Sequence, residues 1–257
     1  MLTTLEPKAK AYVQLHALLG ALPELIRLSP KAAEIVAADP RPTSIGFAVH
    51  DGPRGVLSFA DGLASYTADT AGATIRLPFA SPQAFSKVID GQAQPIPVTG
   101  FHRIGFLLKV FAPLTEELER FLKPTPEALK DPAFRKASTQ LTLYVACAAV
   151  AQLANHDQLG RYSAKNTPDG DIAVEIGDEL AYTLRVADHQ MTFLPQRSPN
   201  PRAAMSFADF DIAAGILSGE ASAMACICAG TVGMRGMLNM VDNLNRILDR
   251  AGQYLGA

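Results

Sequence analysis

The sequence predicts an α+β protein that consists of two similar domains in tandem. Each half of the 257 residues alternates helical hydrophobic spacing with short stretches of period-two alternation. Apolar and glycine positions of the first half also recur in the second half at a nearly constant offset. Three prolines interrupt the helical pattern within residues 123–132, between the halves. We therefore expect one domain over residues 1–124 and a second over residues 125–257.

The repeat is carried by pairs of residues that occupy equivalent positions in the two halves. Offsets of 127 relate Ile45, Leu57 and Tyr66 to Ile172, Leu184 and Phe193. Gly91 matches Gly219 at an offset of 128, and Gly100 matches Gly230 at an offset of 130. The drift in offset indicates small loop insertions. A period near 128 is far too long for a solenoid repeat, so it indicates a duplicated domain.

The second half shows its first strands most clearly. Residues 172–176 and 182–186 alternate apolar side chains with others, which predicts two strands. Residues 177–179 read Gly-Asp-Glu and predict the hairpin turn between them. The pair Asp188-His189 predicts a second tight turn, which leads into a third strand.

A helix, a strand and a last helix are predicted for the rest of the second half. Asp209 is placed to cap a helix that ends near Gly219, where a left-handed residue is usual. Residues 231–236 predict a short strand. The final segment has apolar residues at spacings of three and four, as on an amphipathic helix, namely Met237, Val241, Leu244, Leu248, Ala251 and Leu255. The first half ends in a similar helix, which Pro113 is expected to interrupt.

Charge and cysteine content indicate which classes of partner and which cellular compartment the sequence favours. The 23 basic and 25 acidic side chains give a formal charge of −2, so the net charge offers no attraction to nucleic acid or to an anionic membrane. No secretory signal pattern begins the chain, and three cysteines do not suit a disulfide framework, so we expect a cytoplasmic protein. The most apolar run, residues 141–154, is shorter than the roughly 20 residues of a spanning helix. It predicts a core helix and no integral membrane segment.

Residues 202–238 resemble the sterol carrier protein type two family. The resemblance consists of a strand, a helix that ends in Leu217-Ser218-Gly219, a short apolar segment, and a strand between Gly230 and Gly236 that leads into the last helix. Residues 77–108 resemble a degenerate version of the same pattern, which retains Gly91, Gly100 and Gly105. This first copy departs from the pattern at Pro95 and Pro97.

The resemblance implies two tandem sterol-carrier-like domains, each a mixed, roughly five-stranded sheet with helices packed on one face. It further implies an apolar tunnel between sheet and helices. Such a tunnel would bind or carry a sterol, a fatty acyl chain, an acyl-CoA or an isoprenoid, without catalysis and without a cofactor. Pocket-lining residues are expected in the second copy, namely Met205, Phe207, Ile216, Met224, Ile227, Met234, Met237, Val241 and Leu244.

The methionines of the second half allow two interpretations. Five of the seven methionines of the chain lie within residues 205–240. Methionine is unbranched and polarizable, so it adapts to ligands of irregular shape. A methionine cluster at helix and strand spacing is also compatible with an ordinary core, and the sequence leaves both interpretations open.

Other site chemistries are weaker alternatives. Cys226 and Cys228 lack further metal-ligand partners at suitable spacing and are expected to be buried thiols, so no metal site is predicted. Arg235 lies beside the predicted tunnel, as does the His102-Arg103 pair of the first copy, and either is a candidate for a lipid head group or a solvated charge.

Two rival functions remain open at this stage. One is an accessory or scaffold protein that presents lipid intermediates to a partner enzyme, or that assembles with copies of itself. The other is an enzyme acting on a lipid or thioester with His102 or His189 as its base, although no paired nucleophile is apparent in the sequence.

Overall fold

The structure is a computed structural model that describes residues 4–68 and 72–256. The chain divides into two compact units, of which the first ends at Thr125 and the second begins at Pro126. This division lies one residue from the boundary predicted after Pro124. The outer ends of the predicted domains, Met1 and Ala257, lie outside the described residues.

Unit 1 is a mixed sheet with helices before and after it. Its helices are α1 (Pro7–Tyr12), α2 (Leu22–Leu28), α3 (Pro30–Ala37), α4 (Pro82–Ile89), α5 (Ile104–Phe106) and α6 (Ala112–Leu122). Its strands are β1 (Thr43–Val49), β2 (Arg54–Ala60), β3 (Leu63–Thr67) and β4 (Ile75–Phe79), in the spatial order β3-β2-β1-β4. Only the β1–β4 pair is parallel among these strands.

Unit 2 repeats this plan with one further strand. Its helices are α7 (Pro132–His156), α8 (Gln158–Lys165), α9 (Phe210–Leu217), α10 (Ala223–Cys228) and α11 (Leu238–Leu255). Its strands are β5 (Gly170–Ile176), β6 (Leu180–Ala187), β7 (Gln190–Leu194), β8 (Ala203–Phe207) and β9 (Val232–Gly236), in the order β7-β6-β5-β8-β9. The α+β fold class with two mixed sheets is thereby confirmed.

Strand register confirms the repeat residue by residue. Cross-strand neighbours in unit 1 are Ile45, Leu57 and Tyr66, and the corresponding neighbours in unit 2 are Ile172, Leu184 and Phe193. These are the three pairs that the sequence aligned at an offset of 127. The offset is preserved because a one-residue slip would turn every apolar side chain to the other face of its sheet.

The two sheets differ at the edge where β9 pairs with β8. In unit 1 the corresponding segment makes a single antiparallel bridge, between Arg76 and Thr99. Pro95 and Pro97 precede it, and a proline has no N–H to donate to a neighbouring strand. The described part of unit 1 therefore has four strands instead of the roughly five that were expected.

Local signals in the sequence predicted several turns and helix ends correctly. The Oδ1 of Asp209 accepts a hydrogen bond from the Ile212 N–H at 2.8 Å and so caps α9. Asp188 and His189 have positive φ values of 50° and 62°, as a tight two-residue hairpin requires. The interruption expected at Pro113 takes the form of a π-helical turn over Leu107–Phe111, since proline cannot donate to the carbonyl four residues earlier.

Helix α7 is the central helix of unit 2. It spans 25 residues, longer than the apolar run seen in the sequence, and 13 of them are buried. By length and composition this helix could cross a membrane, but 72% of its most apolar window is buried inside the structure. Burial to this extent is also what a core helix of a soluble protein shows.

A buried ion pair holds the C-terminal half of α11 against the start of α8. Asp157, which is fully buried, caps α8 by accepting hydrogen bonds from the N–H groups of Leu159 and Gly160. Its other contacts come from α11, where Arg250 Nη2 lies 3.1 Å from Oδ1 and the Tyr254 hydroxyl donates to the same oxygen at 2.6 Å. The last helix is thereby fixed over the sheet.

Candidate functional site

One face of the unit 2 sheet is apolar and loses its cover towards the β9 edge. Residues directly opposite each other in neighbouring strands share a face, and one such row consists of Tyr182, Val174, Met205 and Met234. Their exposed fractions are 3%, 2%, 7% and 40% in that order. We call this side the inner face. Its helical cover is complete over the central strands and thins out over β9.

The elements beside this edge are two short apolar helices that bury little of themselves. Helix α9 contacts α7 and β8, and α10 contacts β9. In α9 only Ala213 is buried, and in α10 none of the six residues is buried, although all six are of apolar types. Met224 of α10 is 68% exposed. A helix of this composition in a well-filled core would be buried.

The predicted lining residues form two groups, a buried floor and an exposed rim. The floor consists of four residues that are buried on the inner face of the sheet or on the sheet-facing side of α11, namely Met205, Phe207, Val241 and Leu244. Ile216 and Ile227 are half-buried, on α9 and α10. The other three, Met224, Met234 and Met237, are exposed. Met205 thus belongs to the core, as the core interpretation of the methionines requires, whereas these three lie at the surface.

Leu238 is a rim residue that sequence reasoning missed. It is 61% exposed at the first position of α11, next to Met237. No local signal in the sequence indicated this exposure, because Met240 and Val241, two consecutive residues of the same helix, are both fully buried. We define the apolar rim as Met224, Met234, Met237 and Leu238.

The glycine at the end of β9 fixes the edge strand against β8. Gly236 has a φ of +79° and pairs with Ala203. A Cβ at this position would overlap the carbonyl oxygen of Arg202 and lie 3.0 Å from the Cα of Ala203. The Met237 N–H donates to that same carbonyl oxygen at 2.9 Å, so the chain passes directly from β9 into α11.

The opposite, outer face of the sheet is polar and holds the arginine that was considered for a head group. Arg235 donates two hydrogen bonds to the buried carboxylate of Glu175, at 2.6 and 3.2 Å. Arg197 donates to the same carboxylate at 3.0 Å. The bonds from Arg235 outweigh burial and lower the pKa of Glu175. Arg235 is therefore an ion-pair residue that faces away from the inner face, which favours a structural role for it over contact with a lipid head group.

The corresponding arginine of unit 1 is a structural residue as well. Arg103 is 5% exposed. It donates to the Asp39 carboxylate at 3.0 Å, to the Thr43 hydroxyl at 2.9 Å, and to the carbonyl oxygen of Arg41 at 3.2 Å. Arg103 thus holds the start of the C-terminal helical run of unit 1 against the loop before β1.

The candidate cysteines and histidines lie on separate elements of the structure. Cys226 is half-buried and Cys228 is exposed, both on α10, so the expectation of buried thiols is wrong. His102 and His189 are exposed, in a helical turn and in a hairpin turn respectively. Within residues 4–68 and 72–256, no group of three His, Cys, Asp or Glu side chains is placed to hold a metal ion.

A separate polar cleft lies between the N-terminal ends of α7 and α9. It encloses about 240 Å³ and is lined by Pro132, Arg135, Lys136, Glu179, Asp209, Phe210 and Asp211. Arg135 pairs with Asp211 at 3.1 Å, and Lys136 pairs with Glu179. These charges already neutralise one another, so the cleft is best described as a surface ion-pair network.

Comparison with known proteins gives matches among solved structures. No family model and no curated protein matches the sequence. One matching structure is a UbiJ-SCP2 ubiquinone synthesis protein, with 16% identity, 42% of this chain and 95% of that chain covered, and a TM-score of 0.32. Another is sterol carrier protein domain 2 of Helicoverpa armigera, with 9% identity, coverages of 43% and 87%, and a TM-score of 0.35.

Proposed function

We propose that unit 2 binds the apolar part of a lipid between the inner face of its sheet and helices α9, α10 and the start of α11, and carries it without chemical change. The observation that supports this most directly is the pair α9 and α10, whose 14 residues are mostly apolar and include only Ala213 as a buried residue. Exposed apolar surface of this kind gains free energy when a ligand covers it.

Ligand entry requires α9 and α10 to move away from the floor. Met205 and Phe207 are buried on β8, which α9 contacts, and α10 contacts the neighbouring β9, so we expect a lipid chain to reach these side chains when the two helices separate from the sheet. Segments with few buried apolar contacts open locally at a small fraction of the global unfolding free energy. The half-buried Ile216 and Ile227 lie on these same helices and would contact the ligand in the open state.

The proposed ligand class follows from the side chains available. Each ligand methylene removed from water contributes about 0.8 kcal/mol, and the three exposed methionines of the rim conform to chains or rings of irregular shape. Sterols, fatty acyl chains, acyl-CoA and isoprenoids all present such an apolar body. The proposal leaves the polar end of the ligand in solvent, because Arg235 is engaged with Glu175 on the outer face.

Native mass spectrometry of the purified chain tests the proposal directly. We expect a bound species that organic extraction releases as a lipid in stoichiometric amount. If the mass is that of the protein alone, and fluorescent fatty acid, acyl-CoA and sterol probes all fail to bind, carriage is refuted. The apolar rim would then be assigned to a partner protein, as in the scaffold alternative.

Substituting the rim should weaken probe binding without unfolding the protein. The double variant Met224→Gln and Met234→Gln is expected to raise the Kd of a bound probe by about tenfold, because it removes apolar contact worth one to two kcal/mol. The matched control is Leu63→Gln, which alters a residue that is 69% exposed on β3 of unit 1. Equal Kd values for the control and the rim variant would argue against this site.

A further inference from the structure

We propose that unit 1 docks on a lipid bilayer surface through an exposed apolar stripe. The stripe consists of Ile96, Val98, Phe101, Ile104 and Leu108, and its members are between 38% and 77% exposed. All five lie within 13 consecutive residues. The proposal concerns a surface outside unit 2 and does not depend on lipid carriage there.

The inner side of the same helical run explains why the stripe faces outward. The run begins at Phe101 and continues through α5 and the π-helical turn into α6. Phe106 and Val110 are buried, and the Phe106 ring packs against Phe59 with 5.2 Å between the centroids. The buried Arg103, bonded to Asp39 and Thr43, fixes the rotation of the first turn. Phe101, Ile104 and Leu108 lie on the opposite side of this run and cannot turn inward without breaking these contacts.

A surface helix rarely carries apolar side chains on both its buried side and its solvent side. Such a helix normally carries polar side chains opposite its buried face. Phe101, Ile104 and Leu108 instead occupy the solvent side of this one, at spacings of three and four residues. Contiguous exposed apolar surface marks a binding surface for a protein or a membrane.

The charges around the stripe are complementary to an anionic lipid surface. Residues 91–115 contain no Asp or Glu, in a chain that has 25 acidic residues. His102 and Lys109 are exposed beside the stripe, and so is Arg76, whose carbonyl oxygen accepts from the Val98 N–H at 2.9 Å. No acidic residue of this segment opposes anionic head groups, and Lys109 can extend to them while its methylenes stay in the apolar layer. The net charge of −2 is a sum over the whole chain, so it does not describe this segment, which has basic residues and no acidic ones.

An interfacial helix gains most of its binding from the apolar residues that enter the boundary between head groups and acyl chains. Phe101 has the largest side chain of the stripe, and Leu108 on the same helical run is 67% exposed. We therefore expect them to dominate binding, with Lys109 contributing only where the membrane is anionic.

Vesicle co-sedimentation of the full chain tests the proposal. We expect the protein to sediment with vesicles of equal amounts of phosphatidylcholine and phosphatidylglycerol, and less with phosphatidylcholine alone. The double variant Phe101→Ser and Leu108→Ser should lower the partition coefficient at least about tenfold. The control Leu63→Ser, in the same unit but outside the stripe, should sediment like the unaltered protein, and far-UV circular dichroism should be unchanged in both variants.

Several outcomes would overturn the proposal. The unaltered protein could remain in the supernatant with both vesicle types, or the stripe variant could bind as well as the unaltered protein. Loss of vesicle binding in the rim variant Met224→Gln/Met234→Gln, with retention in the stripe variant, would place the membrane contact in unit 2. If gel filtration shows an oligomer that Phe101→Ser/Leu108→Ser dissociates, the stripe is an interface between copies of the chain.

Discussion

Replacing Arg250 with leucine is expected to lower the free energy of unfolding of unit 2 by about 3–5 kcal/mol, because it leaves the buried carboxylate of Asp157 without its charge partner. Asp157 is fully buried and Arg250 is 6% exposed, so solvent cannot replace the lost interaction. The Tyr254 hydroxyl and the N–H groups of Leu159 and Gly160 would remain as its donors. Those neutral donors stabilise a carboxylate less than a guanidinium does.

A matched control separates this buried pair from an ordinary surface pair on the same helix. Arg246 pairs with Asp242 at 3.0 Å, and both side chains are more than 60% exposed. Arg246→Leu is expected to lower the free energy of unfolding by less than about 1 kcal/mol. Because the chain has no tryptophan and two units, urea unfolding is best followed by hydrogen exchange of α8 and α11 peptides. Similar losses of unfolding free energy in Arg250→Leu and Arg246→Leu would show that the buried pair stabilises the protein no more than the surface pair does.

The effect of Arg250→Leu should depend on pH. Burial opposes the charge of Asp157, but the hydrogen bonds from Tyr254 and Arg250 outweigh it and lower the pKa of this carboxyl group. As the folded pKa is below the unfolded value of about 3.9, the stabilising contribution is present above that pH and is lost as the pH falls through the folded pKa. The difference between the unaltered protein and Arg250→Leu should therefore shrink in acid. A constant difference down to the acid limit would contradict this assignment.

Adding the substitution Asp157→Asn to Arg250→Leu removes the buried negative charge as well. In the double variant Asp157→Asn and Arg250→Leu, the asparagine can still cap α8 and no unpaired ion remains. We expect this double variant to recover a large part of the stability lost in Arg250→Leu alone. Failure to recover would indicate that the packing of the Arg250 side chain, not the buried charge, explains the loss.

The variant Gly236→Ala is expected to lower the stability of unit 2 by about 2–5 kcal/mol, combining strain at positive φ with overpacking. The added methyl group would collide with the Arg202 carbonyl oxygen and approach the Cα of Ala203, both of which are backbone atoms that cannot move aside easily. The collision separates β9 from β8. Because Met234 lies on β9 and Met237 follows it, lipid probe binding should decrease as well.

Gly219→Ala is the control for the strain contribution alone. Its φ of +77° is nearly the same, and nothing lies within 4 Å of the added methyl group. We expect this variant to cost about 1–2 kcal/mol, the usual penalty for a left-handed residue with a side chain. Equal losses in the two variants, measured by urea unfolding, would exclude the close approach to Arg202 as the reason for glycine at position 236.

Signals that act over a few residues were read correctly from the sequence. The Asp209 cap, the hairpin at Asp188-His189 and the left-handed glycine at position 219 depend on the backbone of their own segment. The aligned pairs such as Ile45 and Ile172 were also visible, because each sheet requires the same side-chain alternation to bury one face. Equivalent pairs therefore keep nearly the same spacing in both halves.

The division of the candidate site into floor and rim was not readable from the sequence. Met205 and Met234 are the same residue type at equivalent strand positions, and they differ only because the helical cover thins between β8 and β9. Cys228 on α10 is also exposed, although its apolar neighbours predicted burial. The exposure of a side chain depends on elements that are distant in the sequence, and no local pattern encodes that cover.

The sequence by itself determined the α+β class, the duplication, the equivalent strand positions of the two halves and the position of the last helices, because all of these follow from hydrophobic periodicity and from turn and cap chemistry. Only the tertiary structure decided which charges are buried. Asp157 and Arg250 are 93 residues apart, and Glu175 and Arg235 are 60 apart. A buried ion pair forms between whichever groups the fold brings together, and its strength comes from the removal of water by all the elements around it.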